Sequence, residues 1–129
     1  MTGAGRLLLV DDDDDIRLIA RMSLERVGGW EVLEAGSAEE ALAVARSGPI
    51  DAVLLDVMMP GVDGPGTLEI LRPVIGPDTP VIFLTAKTQA VDRKRLGGLG
   101  AAGLIAKPFD PMTLSDEVAA RLAVHPVSR

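Results

Sequence analysis

Short apolar runs recur along the chain, and four of them end on a polar or charged residue. Leu7, Leu8, Leu9 and Val10 run into Asp11; Val53, Leu54 and Leu55 into Asp56; Val81 to Leu84 into Thr85; Leu104, Ile105 and Ala106 into Lys107. Runs of this length bounded by turn residues read as buried strands. Trp30 to Ala35 alternates and supplies another strand. Between the strands the period changes to 3.6: Ile16, Ile19, Ala20, Ser23, Leu24 and Val27 share one helical face, which Gly28 and Gly29 terminate, with one of Asp13 to Asp15 as the cap.

Ser37 with Glu40 forms a capping box that opens a second helix, with Ala38, Ala41, Leu42 and Ala45 on one face and an end at Gly48-Pro49. A turn from Met59 to Gly64 precedes a third helix with Pro65 at its first position and an end forced near Pro73. A fourth helix starts at about Gln89, and a fifth runs from an Asp110 cap, with Pro111 at its first position, to Leu122. Strands alternating with helices through right-handed crossovers predict an α/β fold with a doubly wound parallel sheet.

A length of 129 residues with 47% apolar composition predicts a single domain, with a core from about Arg6 to Leu122 and short tails. A net charge of -6 argues against direct nucleic-acid binding, which calls for a basic patch. Arg93, Lys94 and Arg95 form a local basic cluster best read as a solvated face, with partner docking as the lesser reading. There is no cysteine, so a metal would be held by oxygen ligands or by the single histidine, His125, which sits in the tail. No apolar run is long enough for a signal segment or a membrane span, so a cytoplasmic location without membrane partners is expected. No Gly-rich phosphate loop ending in Lys-Ser or Lys-Thr follows the first strand, which leaves Gly61 and Gly64 as turn residues.

In an open parallel sheet, ligands bind at the carboxyl ends of the strands, where strand order reverses. Asp11, Asp12, Asp56 and Lys107 all belong to that edge. Three carboxylates there repel one another, and Mg²⁺ resolves the repulsion by accepting oxygen ligands while bridging to a phosphoryl group. Asp56 is then placed to act as a nucleophile toward an in-line phosphoryl donor. Blander accounts exist for each residue alone: Asp11 to Asp15 as a solvated acidic loop, Asp56 as a turn residue, Thr85 as an ordinary strand end. Their joint occurrence with Lys107 favours the site.

The blocks Leu8-Leu9-Val10-Asp11-Asp12, Leu54-Leu55-Asp56-Val57-Met58-Met59-Pro60-Gly61, Leu84-Thr85-Ala86 and Lys107-Pro108-Phe109 resemble, in order and spacing, those of response regulator receiver domains from two-component systems. The resemblance implies a flavodoxin-like five-stranded sheet of order 2-1-3-4-5. It implies that Asp56 is the phosphoacceptor for the phosphohistidine of a sensor histidine kinase or a phosphotransfer protein. Asp11, Asp12, Asp56 and the backbone carbonyl of Met58 would hold Mg²⁺, with Mn²⁺ as a substitute. Thr85 and Lys107 would contact the phosphoryl oxygens, and the Lys107-Pro108 bond would be cis. Met58 and Lys87 fall where relatives tune hydrolysis; an apolar Met58 cannot orient an attacking water, so a long-lived phosphoryl-aspartate is expected.

The chain departs from the pattern at Leu104, where relatives carry an aromatic coupled to the threonine; leucine has no ring to swing and no polar handle. Glycines at 97, 98, 100 and 103 make the fourth helix short or soft. Signalling through the face of the fourth helix, fifth strand and fifth helix would then proceed by ordering or shifting that helix. The expected protein is a signalling module without an effector domain, phosphorylating and dephosphorylating itself and binding a further protein target. The alternatives are a small Mg²⁺-dependent phosphohydrolase with an aspartate nucleophile and an inactive scaffold.

Overall fold

The computed structural model describes residues 5–86 and 90–124. The elements are β1 (Gly5–Val10), α1 (Asp14–Arg26), β2 (Trp30–Ala35), α2 (Ala38–Arg46), β3 (Ala52–Asp56), α3 (Gly64–Ile75), β4 (Val81–Thr85), α4 (Ala90–Gly97), β5 (Gly103–Ala106) and α5 (Leu114–Val124). The five strands form one parallel sheet in the order β2-β1-β3-β4-β5. The flavodoxin-like architecture expected from the resemblance is the one observed.

Successive strand residues point to opposite faces, and the two cores follow that alternation. Leu8, Val10, Val53, Leu55, Val81 and Phe83 pack toward α2, α3 and α4 with Ala41, Leu68, Leu71 and Leu96. Leu7, Leu9, Leu54, Ile82, Leu84 and Ile105 face α1 and α5 with Ala20, Leu24, Leu114 and Val118. Both faces of β1, β3 and β4 are therefore buried, which is why these strands read as unbroken apolar runs rather than alternating ones. Register carries this order to the strand ends: Val10 pairs with Leu55, Asp56 with Leu84, and Thr85 with Ala106.

Helix caps are mostly those the sequence predicts. Asp13 caps α1 by accepting from the backbone N–H groups of Asp15 and Ile16. Ser37 caps α2, but Glu40 closes the box on the N–H of Gly36, at 2.7 Å, rather than on that of Ser37. The predicted apolar face of α1 is only half used: Ala20, Ser23 and Leu24 are buried, while Ile19 and Val27 are exposed.

Two boundaries differ from expectation. α3 continues through Pro73 to Ile75 because proline so close to a helix end removes one hydrogen bond without interrupting a longer ladder. Its end is secured from elsewhere, with Arg72 Nη1 donating to the carbonyls of Gly76 and Thr79, and the Thr79 hydroxyl donating to that of Ile75. At the other boundary, Asp110 accepts from the N–H of Met112 and so caps a single turn over residues 111–113. The regular α5 starts at Leu114 rather than Pro111, its first N–H donating to the Asp110 carbonyl at 2.9 Å.

The helix expected from about Gln89 is short, ending at Gly97. Arg93, Lys94 and Arg95 are exposed on it, and Leu96 is buried against the sheet. Among the described residues no helix is long and apolar enough to cross a membrane.

Candidate functional site

Asp11, Asp12 and Asp56 meet at the carboxyl edge of β1 and β3, where strand order reverses. Each offers a carboxylate oxygen, and these atoms lie within 4.8 Å of one another. Asp11 is fully buried, Asp56 is nearly so and Asp12 is exposed. Asp11 is held by its own backbone: its N–H donates to the Ala35 carbonyl of β2 at 3.1 Å, and its Oδ1 accepts from the N–H of Asp13 at 2.9 Å. Asp56 Oδ1 accepts from the N–H of Met58 at 3.3 Å, while the Met58 side chain turns out to solvent.

Lys107 crosses from the end of β5 to both buried acids. Its ammonium lies 3.1 Å from Asp11 Oδ2 and 3.3 Å from Asp56 Oδ1. The Lys107-Pro108 peptide is cis. Burial alone pushes the Lys107 ammonium down, but its contacts with Asp11 and Asp56 outweigh this and leave its pKa raised. Asp56 goes up instead, from 3.8 to about 6. Burial is the main cause and the Asp11 charge adds to it, while Lys107 and the Met58 N–H compensate only in part. One ammonium divided between two carboxylates does not neutralise either fully.

This imbalance is the observation that tests the fit of a cation. Three carboxylates and a single ammonium leave excess negative charge in a partly buried pocket, with oxygen ligands only. That donor set suits a hard divalent ion such as Mg²⁺. The site is thus able to coordinate Mg²⁺ through Asp11, Asp12 and Asp56.

Thr85 is buried at the end of β4, and its carbonyl accepts from the N–H of Lys107 at 2.9 Å. Leu104 pairs in register with Phe83 and packs against the α2–α4 core layer. Its carbonyl accepts from Arg121 Nε at 3.0 Å. Lys87 and His125 lie outside the described residues.

One contributor was not legible as such. A Cβ at Gly64 would come within 2.5 Å of the Asp56 carbonyl and 2.8 Å of the Val57 Cα, so this position lets α3 start directly against the strand end that carries Asp56. Its N–H also donates to the Val57 carbonyl at 2.9 Å. Sequence alone marked Gly64 as a turn residue, because the constraint is a long-range approach and not a special φ.

A doubly wound sheet whose switch-point edge gathers an acid cluster and a bridging lysine defines a phosphoacceptor signalling domain. The chain belongs to the family described as the response regulator receiver domain, whose model matches residues 7–119. It is 37% identical over 119 residues to the transcriptional regulatory protein YvrH of Bacillus subtilis, covering 92% of this chain and 48% of that protein. It is 39% identical over 111 residues to ResD of the same organism, covering 85% and 45%. The chain spans about half the length of these curated relatives. Among solved structures, the chemotaxis protein CheY4 of Vibrio cholerae superposes with a TM-score of 0.83 at 32% identity, covering 90% of this chain and 97% of that one. The architecture corresponds to self-phosphorylation and dephosphorylation rather than turnover of external substrates, which disfavours the phosphohydrolase alternative.

Proposed function

We propose that Asp56 receives a phosphoryl group from the phosphohistidine of a sensor kinase or phosphotransfer protein. The observation that carries this is the placement of the nearly buried Asp56 carboxylate between the Lys107 ammonium and two further acids. A carboxylate oxygen of Asp56 attacks phosphorus, the bond to the donor imidazole breaks, and that nitrogen keeps the electron pair and takes a proton. An acyl phosphate on Asp56 results. Asp11, Asp12, Asp56 and the backbone carbonyl of Met58 would hold Mg²⁺, which supplies charge neutralisation at the transferring group.

Lys107 exchanges its contact with Asp56 for one with the phosphoryl oxygens, a task suited to a compact, mobile charge. The Thr85 hydroxyl donates to the same oxygens. The donor protein has a face to use beside the site: Ile19, Met22, Val27, Pro111 and Met112 line an apolar groove between α1 and the turn before α5. A second groove beside Lys107 shares Ile19 and Pro111 with it.

Output goes through the face of α4, β5 and α5 to a protein target. Without an aromatic at Leu104, α4 itself moves or orders; it is eight residues long, ends at Gly97 and is followed by Gly98. Phosphorylation is therefore expected to change amide hydrogen exchange across residues 86–104, and equal exchange in the two states would remove this route.

The transfer is tested by intact mass after incubation with acetyl phosphate. The expected result is gain of one phosphoryl group with Mg²⁺ present and none when the ion is chelated. No gain under either condition would favour a scaffold or strict dependence on a kinase, which incubation with a matched phosphohistidine protein separates.

A further inference from the structure

Beyond the acid cluster, one side chain grips the loop that carries it. Arg17, near the start of α1, places its guanidinium among three acceptors, one in the loop after β1, one on β2 and one on α1 itself. Nη1 donates to the backbone carbonyl of Asp11 at 2.6 Å, Nε to Glu34 Oε1 of β2 at 3.1 Å, and Nη2 to Asp14 Oδ1 at 2.6 Å. Glu34 is in turn fixed by Arg21 Nη1 at 2.7 Å. The Asp11 backbone is thereby held on both sides of its Cα: its N–H by the Ala35 carbonyl, its C=O by Arg17.

Resting on the reading that Asp11 and Asp12 hold Mg²⁺, we infer that Arg17 is a positioning residue for that ion. It fixes the Asp11 carbonyl and so keeps the two consecutive carboxylates turned toward Asp56. A forked guanidinium can satisfy three acceptors at fixed angles, which a point charge cannot. Groups that orient metal ligands in this way commonly govern affinity by about one order of magnitude or more.

Charge alone works in the opposite direction. Arg17 is a cation near a cation site, and its removal leaves Asp14 and Glu34 less compensated. On Coulombic grounds Arg17→Met should bind Mg²⁺ more tightly. Weaker binding would therefore report geometry and not field.

The test is an amide-resolved NMR titration of the whole chain with MgCl₂, together with urea unfolding of each variant. Arg17→Met is expected to raise the dissociation constant about tenfold. Arg26→Met removes a cation from the last turn of the same helix but leaves Glu34 and the Asp11 carbonyl held; it is expected to titrate like the parent. Parent-like or tighter binding by Arg17→Met would overturn the inference. Should that variant not fold, Arg17→Lys is judged by the same criterion, since a lysine keeps the charge and loses the fork. Failure of the underlying reading is distinguishable: the parent would then show no Mg²⁺ response, or one that Asp12→Asn leaves unchanged.

Discussion

Asp56→Asn is expected to stabilise the metal-free protein at neutral pH by about 3 kcal/mol while abolishing phosphorylation. The folded protein raises the Asp56 carboxyl from 3.8 to about 6, chiefly through burial and then through Asp11. Between those values the native state binds more protons than the unfolded chain, so stability falls as pH rises through the window and the full penalty applies above it. An asparagine carries no such penalty. Urea unfolding in chelator should show the gain at neutral pH and show it vanish as pH falls toward 4, where the parent's carboxyl is also neutral. A gain independent of pH would mean that Asp56 is not held in the strained ionised state inferred here. The direction is informative because removing a charged group that served only stability would lower stability, not raise it.

Lys107→Met is the converse experiment and the second large effect. Lys107 is the ammonium in contact with both Asp11 and Asp56, and its removal leaves two buried carboxylates facing each other. Breaking one side of a buried ion pair commonly costs about 3 kcal/mol or more. Here Asp56 can take up a proton, which limits the cost to about 2 kcal/mol in the metal-free protein. Mg²⁺ should restore much of it, because a ligand that binds only the native state stabilises by mass action and no ammonium competes for the acids. The variant is thus expected to be the less stable protein in chelator and the one that gains more on adding Mg²⁺. A stability loss that Mg²⁺ does not offset would place the role of Lys107 in packing. Phosphorylation should be lost in both conditions, since the cation facing the incoming phosphoryl oxygens is gone.

The strand ends were legible because burial on both faces writes them as apolar runs, and the residue that stops each run is the one delivered to the edge. That is why Asp11, Asp56, Thr85 and Lys107 could be named from the sequence and are found at adjacent strand ends. Caps were legible for a similar reason, being decided within a few residues, as with Asp13 and Ser37. Long-range decisions were not. Pro73 placed the end of α3 nearby, and the two residues beyond it are helical because Arg72 and Thr79 secure that last turn. Gly64 looked like turn chemistry because its constraint is the Asp56 carbonyl, on another element. Arg17 carries no local signal, since its acceptors include a backbone carbonyl at Asp11 and a carboxylate on β2. Ile19 and Val27 matched the apolar period of α1 yet stay exposed, as part of the lining of the groove between α1 and the turn before α5.

The role of Asp56 as phosphoacceptor is settled by locating the modification. Protein phosphorylated with acetyl phosphate and Mg²⁺ would be reduced with borohydride, which converts an acyl phosphate to an alcohol, and then mapped by peptide mass spectrometry. Homoserine is expected at position 56, with unmodified aspartate at positions 11 and 12. Homoserine at 11 or 12, with Asp56 intact, would contradict that role.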